Sequence, residues 1–468
     1  MGSPAPSSQS GTLAAKPTVV LVALWGVSHF APMVEIGKRL LAIGGSSLTV
    51  DVLVVPSPTG KWEAEIFDRI RRDEASGLDI RFHHLQAAEP PTDTTGIEEF
   101  VSRYVQQYVP QVRAIVSAMS MACPVAAVVV DIFCTTLLDA PQELGVPAYV
   151  FLTSSAAMAA VLLRSPSLDE EVVPGVEFEE LEGGLDVPGL PPVPASCLPT
   201  GLDNRKIPTY DWFLYNGRRY METNGIMINT IAEVEPSVLA AITDGRCTRG
   251  IRPPTVYTIG PVVAIAPPIQ LANECLRWPV ARLAANSLRA VHMLGRRRRV
   301  LQHATGARHS TGPGTQRASI PVGAARAAGA PRTQTSRSCS RRPTPPWVAS
   351  SRTAAGTRSS RACGSACRTP PWPNAAEQHF NAYTLVAEMR VAVAMKVDKK
   401  RNNFVEAAEL ERAVKALMDD SEAARKVRDK SVEMKAACRM AVEEGGSSVV
   451  SLQRLRDALI QGAVHPKK

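Results

Sequence analysis

Two titratable side chains, His29 and Asp131, follow stretches of sequence that are typical of buried β-strands. The apolar run 18–24 precedes His29, and the run 126–130 leads directly into Asp131. Because ligands bind at the carboxyl edge of a parallel sheet, both side chains lie where chemistry is expected. A histidine with a near-neutral pKa can take a proton from a hydroxyl group, and a carboxylate can fix its tautomer and stabilise the imidazolium. The two residues are candidates for a general base and its partner.

Each residue also has a simpler interpretation. His29 could be an ordinary residue of a turn or helix start, and Asp131 could cap a following helix. The hydroxyl run 153–155 (TSS), which follows another strand-like stretch, could likewise be a helix cap or a set of ligand-binding hydroxyls. Position alone therefore leaves both interpretations open.

The elements that must position these residues alternate between strand-like and helical patterns. Strand-like patterns occur at 18–24, 48–55, 78–83, 126–130, 148–152 and 225–229. Helical spacing is found at 31–41, with Pro32 tolerated in the first turn, and at 210–222. This order predicts an α/β fold with a parallel sheet covered on both faces. A Pro- and Gly-rich stretch, 183–199, is expected to be a long surface loop.

The last part of the chain has helical periodicity. Helices are predicted at 380–389, 406–418, 422–442 and 449–459. Ser447 and Ser448 follow two glycines and are placed to cap the last of these helices.

Composition sets the broad class. A chain of 468 residues with 45% apolar residues can form two domains with proper cores. Residues 1–16 lack a signal-peptide pattern and are expected to be a disordered tail, and no apolar run is long enough to cross a membrane, so a cytoplasmic protein is predicted. Cys363 and Cys367 have the spacing of half a metal site, but no second ligand pair lies nearby, and no metal is predicted.

The basic charge comes from one segment. The net charge is +9, and residues 279–371 contain 17 Arg and no Lys, Asp or Glu, so the rest of the chain carries 9 − 17 = −8. This segment has too little apolar sequence to form a core and is expected to be disordered. The run 296–299 (RRRR) could bind nucleic acid nonspecifically, but it lacks interleaved aromatic residues and a helix that could read bases.

Several sequence blocks, in order, resemble the plant UDP-glycosyltransferases. They are 25–35 (WGVSHFAPMVE), 129–134 (VVDIFC), 144–156 (LGVPAYVFLTSSA), 225–230 (GIMINT) and 257–261 (YTIGP). The resemblance extends from about Pro17 to Trp278 and from Trp372 to the end. It implies a GT-B fold, in which two Rossmann-like domains face a cleft, with the acceptor bound mainly to the first domain and the UDP-sugar mainly to the second.

The resemblance also implies roles for individual residues. His29 would deprotonate the acceptor hydroxyl, Asp131 would hold His29, and the acceptor oxygen would displace UDP with inversion at the anomeric carbon. Ser28 and Thr153 match positions near the donor phosphates and sugar. The pair 377–378 (EQ), Glu377 and Gln378, matches the end of the family's donor signature, which holds the sugar hydroxyls, and suggests glucose. No metal or other cofactor is implied, because a helix N-terminus and polar side chains stabilise the leaving diphosphate.

The rest of the donor signature is absent from the printed frame. Residues 351–358 can be encoded as TCA CGC ACT GCG GCT GGA ACT CGG, and starting at the third base gives Thr-His-Cys-Gly-Trp-Asn-Ser, as the family would have. A second shifted frame at 287–299 allows the first strand and glycine loop of the family's second domain. We infer that the segment is frame-disturbed. An erroneous gene model, a sequencing error and a decayed gene all remain explanations.

The predicted organisation has five parts. They are a tail (1–16), an acceptor-binding Rossmann-like domain (17–261), a linker (262–278), the disturbed donor segment (279–371) and the remaining C-terminal helices (372–468). The predicted function is an inverting transfer of glucose to a flavonoid or other phenolic, by a monomer without membrane or nucleic-acid partners. Two alternatives remain: a binding protein that holds the phenolic without turnover, and a decayed gene product.

Overall fold

The run of apolar residues near the start of the chain forms the centre of a parallel sheet. All six residues of the strand Thr18–Ala23 (β1) are buried. The computed structural model describes residues 16–262, 370–374 and 376–464, all within one compact unit. The predictions for the tail, the linker and the Arg-rich segment therefore lie outside the described residues, apart from a few residues at their edges.

The sheet contains seven strands, in the order β3-β2-β1-β4-β5-β6-β7, and every pairing is parallel. After β1 the strands are Thr49–Val54 (β2), Ile80–His84 (β3), Val125–Asp131 (β4), Ala148–Leu152 (β5), Gly225–Ile228 (β6) and Thr255–Thr258 (β7). The first six confirm the predicted strands to within two residues at each end. The sequence analysis missed β7, because its four residues (TVYT) are only partly buried at the sheet edge and form no apolar run.

Helices cover both faces of the sheet. In the first half they are Val27–Gly44 (α1), Glu63–Glu74 (α2), Ile97–Gln106 (α3), Val109–Ala122 (α4), Asp139–Glu143 (α5), Ala156–Glu171 (α6), Pro208–Tyr220 (α7) and Pro236–Thr243 (α8). Alternate residues of β1 enter opposite cores: Val20 and Val22 join the cluster under α3, α4 and α6, whereas Val19 and Leu21 join the cluster under α1. The sheet therefore separates two apolar layers, as its strand pattern predicts.

The helix α1 begins earlier than expected. The helical periodicity predicted a start at residue 31, but the helix begins at Val27, directly after its N-cap Gly26. The apolar pattern gave no sign of this first turn, because two of its four residues, Ser28 and His29, are polar and only Phe30 is buried. Gly37 lets α1 approach the sheet closely, since a Cβ at this position would lie 2.9 Å from Leu21 Cδ1 and 3.0 Å from Val50 Cγ1. The consequence is that His29 belongs to a helix anchored on the sheet rather than to a loop.

The predicted surface loop 183–199 is partly buried. Leu185, Val187, Val193 and Leu198 are each at most 2% exposed and belong to the larger core. An isolated antiparallel bridge pairs Leu185 with Val193. The prediction of an exposed loop was wrong for these positions. Burial of the apolar side chains between the prolines and glycines stabilises the fold by more than the conformational entropy that the backbone loses.

The C-terminal helices are Gln378–Ala387 (α9), Ala407–Met418 (α10), Glu422–Ala441 (α11) and Ser447–Val464 (α12). The helix α12 packs against the sheet, where Leu452, Leu455 and Leu459 join the core under α1. The serines predicted to cap it make other contacts: Ser447 Oγ donates to Glu233 Oε2 at 3.0 Å, and Ser448 Oγ donates to the carbonyl of Gly260. Their hydroxyls fix α12 against the first half of the chain instead.

No helix within the described ranges is both long and apolar enough to cross a membrane.

Candidate active site

The topology of the sheet brings His29 and Asp131 together. The strands β1 and β4 are neighbours, and Val22 pairs with Val130. The chain therefore leaves β1 into the first turn of α1 at the same edge where Asp131 ends β4. Two residues that are 102 positions apart in sequence become adjacent.

A hydrogen bond joins the two side chains. His29 Nδ1 lies 2.9 Å from Asp131 Oδ2, and the backbone N–H of Phe133 donates to Asp131 Oδ1 at 3.2 Å. The Asp131 side chain is fully buried, while that of His29 is 23% exposed. Because a carboxylate only accepts hydrogen bonds, Nδ1 carries the hydrogen of the neutral ring, and Nε2 keeps a free lone pair. Asp131 therefore fixes the local turn and the tautomer of His29 at once.

Neighbouring charges set the proton affinity of His29. Burial lowers its pKa, but the charge of Asp131, the hydrogen bond to Asp131 and the charge of Glu377 together outweigh it, so the pKa lies above the usual 6.5. A raised pKa makes the imidazole a stronger base and stabilises its protonated form.

One aromatic ring, that of Phe133, contacts His29, and a group of three contacting rings lies on α3 and after β1. The ring of Phe133 is 5.5 Å from the His29 ring, and Trp25 makes an edge contact with Tyr104 at 5.3 Å. Phe100 stacks on Tyr104 at 6.2 Å. We call Trp25, Phe100, Tyr104 and Phe133 the aromatic wall; two of these residues come from α3 and two from the segments that follow β1 and β4. Tyr104 is 1% exposed and supports two of the others, whereas Trp25, Phe100 and Phe133 are partly exposed, so their rings suit the face of a planar ligand.

Glu377 acts on the same site from the C-terminal part of the chain. It is the N-cap residue of α9, and its charge contributes to the raised pKa of His29. Its neighbour Gln378 is 8% exposed, and Gln378 Oε1 accepts from the backbone N–H of Asn374 at 2.9 Å. The backbone N–H of Thr200 donates to the carbonyl of Ala376 at 3.2 Å, which fixes this segment against the first half of the chain.

Two relatives cover nearly the whole chain. No protein-family model matches the chain. Malvidin galactosylase UGT88C3 of Oryza sativa subsp. japonica is 45% identical over 482 residues, which cover 96% of this chain and 99% of that protein. Anthocyanidin 5,3-O-glucosyltransferase of a Rosa hybrid cultivar is 27% identical over 475 residues, with coverage of 93% and 98%.

The chain belongs to the plant UDP-glycosyltransferase family. Among solved structures, a UDP-glucosyltransferase from Polygonum tinctorium superposes with a TM-score of 0.72 at 23% identity, covering 96% of this chain and all of that one. This likeness confirms the predicted GT-B fold. Membership of the family makes the protein, by homology, a UDP-glycosyltransferase.

The remaining predicted site residues of this UDP-glycosyltransferase lie at the same edge of the sheet. Ser28 is exposed in the first turn of α1, where Gly26 provides no side-chain cap. Thr153 is 7% exposed at the end of β5. Of the hydroxyl run, Ser155 is the N-cap of α6 and accepts from the backbone N–H of Met158. The cap role therefore belongs to Ser155, and the ligand role of Thr153 stays a prediction.

Glu98 was missed by the sequence analysis. It lies in the first turn of α3, is 4% exposed, and its Oε2 has no hydrogen-bond partner among the described residues. Burial, followed by the charges of Glu377 and Asp203, raises its pKa to about 8. The available signal was a glutamate on the same helical face as Val101 and Val105, where an apolar residue is expected.

Within the described part of this UDP-glycosyltransferase, no group of three or more His, Cys, Asp or Glu residues could hold a metal ion. Cys363 and Cys367 lie outside the described residues.

Proposed function

We propose that the protein transfers a hexose from a UDP-sugar to a phenolic hydroxyl of a flavonoid-type acceptor, with His29 as the general base. The observation that carries this proposal is the 2.9 Å contact between His29 and the buried Asp131, beside the aromatic wall and at the carboxyl edge of a parallel sheet. In this proposal the acceptor hydroxyl approaches Nε2 of His29, and the attached ring packs against Phe133 and the rest of the wall.

The proposed chemistry is a single displacement. His29 Nε2 takes the hydroxyl proton as the acceptor oxygen attacks the anomeric carbon. The bond between that carbon and the diphosphate oxygen breaks, UDP leaves with the electron pair, and the configuration inverts. Asp131 stabilises the imidazolium until it releases its proton to solvent. No cofactor beyond the UDP-sugar co-substrate is required in this scheme.

Two features support a flavonoid-type acceptor. Phe133 offers an apolar ring next to the proposed base, and Trp25 and Phe100 of the aromatic wall are also partly exposed. Two relatives that cover nearly the whole chain carry names that specify malvidin and anthocyanidin as acceptors. A phenolic hydroxyl is also acidic enough for a histidine to deprotonate it as the new bond forms.

The donor is proposed from the C-terminal residues. Glu377 and Gln378 would hold the sugar hydroxyls, with Ser28 and Thr153 near the phosphates and sugar. The Glu-Gln pair predicts glucose, whereas the rice relative is named a galactosylase, so the sugar is proposed as a hexose, with UDP-glucose and UDP-galactose as the two donors to compare. A monomeric, cytoplasmic protein remains the prediction.

The test uses the full chain with malvidin and each donor. Protein made in the undisturbed reading frame is expected to form a malvidin hexoside, and His29→Ala in that protein to reduce turnover by about 10²–10⁴-fold, as loss of a general base does. The printed chain, which lacks the donor signature, is expected to show no useful turnover. The matched control is His83→Ala, because His83 Nε2 also bonds a buried aspartate, Asp51, at 2.6 Å but belongs to the edge strand β3. Equal losses in both variants would contradict the proposed role of His29.

A binding-only protein is the second candidate, favoured by the absence of the donor signature before Glu377 in the printed frame. Calorimetric binding of malvidin without binding of UDP, together with no turnover, would establish it. Sequencing the transcript across residues 279–371 identifies the cause: we expect a message whose reading frame differs from the printed one. A message that encodes these arginines unshifted would refute the frame disturbance.

A further inference from the structure

Two side chains of α7 hold the segment that follows Asp131. Tyr220 Oη donates to the carbonyl of Ile132 at 3.0 Å, and Thr135 Oγ1 donates to Asn216 Oδ1. Asn216 and Tyr220 are four residues apart and therefore lie one above the other on the helix. They are 2% and 1% exposed. Side chains on neighbouring turns of α7 thus form hydrogen bonds with residues 132 and 135.

This segment is also the support of the proposed base. Asp131 receives the N–H of Phe133 on Oδ1, and the N–H of Cys134 donates to the carbonyl of Asp131 at 2.8 Å. A displacement of Ile132 or Thr135 would therefore move the groups that orient the carboxylate. The carboxylate in turn holds the ring of His29.

The same helix connects this segment to the aromatic wall. Asn216 Nδ2 lies 3.4 Å from Ser102 Oγ on α3, the helix that carries Phe100 and Tyr104. The amide of Asn216 thus faces the segment after Asp131 on one side and the wall helix on the other. The surface that would bind the acceptor and the pair that would deprotonate it share one buried hydrogen-bonded link.

Packing alone does not account for these polar groups. A buried hydroxyl or amide contributes little net stability over an apolar group of similar shape, yet it is costly when a partner is lost. Phe would fill the same volume as Tyr220. Burial, followed by the charge of Asp131, raises the pKa of Tyr220 far above its usual value, so the phenol remains a hydrogen-bond donor. What Tyr and Asn add here is directional contact with the backbone and hydroxyl beside Asp131.

We propose that Asn216 and Tyr220 are positioning residues. They keep Asp131 oriented for its hydrogen bond to His29, and they link this pair to α3, the helix that carries Phe100 and Tyr104. This inference rests on the proposed function, because it assigns the two residues to the proton-transfer step. Neither side chain contacts the reacting atoms; each acts through residues 131–135.

The test is the titration of His29 in the full chain, followed by NMR of the imidazole C–H and assigned with His29→Gln. Tyr220→Phe removes only the hydroxyl. We expect the His29 pKa to fall by about half a unit or more, because a reoriented Asp131 stabilises the imidazolium less well. If the chain turns over, the acidic limb of its pH profile should shift to lower pH by the same amount.

The matched control lies on the same helix. Tyr210 is 2% exposed, and its Oη donates to Oδ1 of the partly exposed Asp169 at 2.8 Å, so Tyr210→Phe also removes one hydrogen bond of a buried tyrosine, but away from Asp131. We expect Tyr210→Phe to lower the melting temperature without changing the His29 titration. An unchanged titration in Tyr220→Phe, or an equal shift in both variants, would overturn the proposal.

A second pair of variants tests the Asn216 contact if Tyr220→Phe fails to fold. Thr135→Ser keeps the hydroxyl that donates to Asn216, whereas Thr135→Val removes it at nearly constant volume. The serine variant should retain the wild-type titration of His29, and the valine variant should lower its pKa. Identical titrations would exclude a positioning role. Since the titration needs no donor, failure of the proposed function would appear separately, as absent turnover or turnover insensitive to His29→Ala.

Discussion

At the scale of single residues, the site combines a partly exposed histidine base with a fully buried carboxylate. His29 can meet a substrate because 23% of its side chain is exposed, whereas Asp131 is sealed beneath it and can act only through the imidazole. The negative charges of Asp131 and Glu377 both favour the protonated ring and oppose the cost of burying it. The base therefore gains strength from residues distant from it in sequence.

The charge of Asp131 can be removed without changing its shape. In Asp131→Asn we expect the His29 pKa to fall, so that the acidic limb of the pH–rate profile moves to lower pH while the maximal rate drops by about 10²–10⁴-fold. The rate falls because the tautomer is no longer fixed and the imidazolium is no longer stabilised. Steady-state kinetics across pH measure both effects. Asp51→Asn, which disturbs the pair with His83, is the control, and a similar profile in the two variants would argue against the assignment.

Glu98 and Glu99 should respond to pH in opposite directions. The folded-state pKa of Glu98 is about 8, above its usual 4.5, so its contribution to stability is complete below pH 4.5 and is lost as pH rises to about 8. Glu98→Gln should therefore melt at a higher temperature than wild type at pH 8 and at nearly the same temperature at pH 4.

The adjacent residue supplies the control. Hydrogen bonds from Thr95 and Arg103 outweigh the effect of burial and lower the pKa of Glu99, so its stabilisation is present above pH 4.5 and is lost on acidification. Glu99→Gln should lower the melting temperature at neutral pH. Thermal unfolding at several pH values separates the two cases. If the melting temperatures of Glu98→Gln and Glu99→Gln changed with pH in the same way, the ionisation states of Glu98 and Glu99 would differ from those inferred.

At the scale of elements, a buried carboxylate fixes the start of α6. Glu235 is 0% exposed, and its two oxygens accept from the backbone N–H groups of Ala156 and Ala157 at 2.9 and 2.8 Å. These N–H groups have no partner within the helix, because they belong to its first turn. Glu235 thus holds the helix that follows β5 and Thr153 against the loop after β6.

Removal of this carboxylate should cost more than loss of an ordinary cap. Glu235→Ala leaves two buried N–H groups and the hydroxyl of Thr230 without their acceptor, and we expect a loss of about 2–4 kcal/mol in the free energy of unfolding. Glu235→Gln keeps one acceptor oxygen and should lose less. Urea denaturation measures both values, with the exposed Glu65→Ala as the reference. Equal stability of all three variants would rule out this anchoring role.

The elements also show what could be predicted from sequence. Buried parallel strands are continuous apolar runs, so β1, β4 and β5 were located, and the position of His29 and Asp131 after such runs predicted a shared edge of the sheet. The early start of α1 and the strand β7 were not predicted, because neither has a distinctive apolar pattern. The burial of Glu98 and the contacts of Asn216 and Tyr220 depend on packing between α3, α7 and the segment after β4, and a single sequence does not show such long-range contacts.

At the scale of the whole molecule, the last helix, α12, covers part of one face of the sheet. Leu455 of α12 is 0% exposed within the core under α1, although that core consists mainly of residues from the first half of the chain. Arg456 reaches the same region, with Nη1 donating to the carbonyl of Ile43 at 3.2 Å. Stability of the proposed acceptor-binding half therefore depends on residues at the other end of the sequence.

Leu455→Ala tests this dependence. The substitution leaves a cavity in the core under α1, and we expect it to reduce the free energy of unfolding by about 2–4 kcal/mol. Val450, on the same helix but 43% exposed, provides the control, and Val450→Ala should change stability by less than about 0.5 kcal/mol. Denaturant unfolding, followed by a spectroscopic signal from the region of Trp25, reports on the unfolding of the sheet. A large loss that leaves this signal unchanged would mean that α12 unfolds independently.

The return of α12 to the first sheet has a consequence for biosynthesis. A ribosome makes β1 and β4 long before it makes Leu452, Leu455 and Leu459, so the part of the apolar face that α12 covers remains exposed until the last helix is made. During that interval the chain is vulnerable to aggregation and is a natural client for chaperones. Any premature stop before α12 would leave this vulnerability permanent.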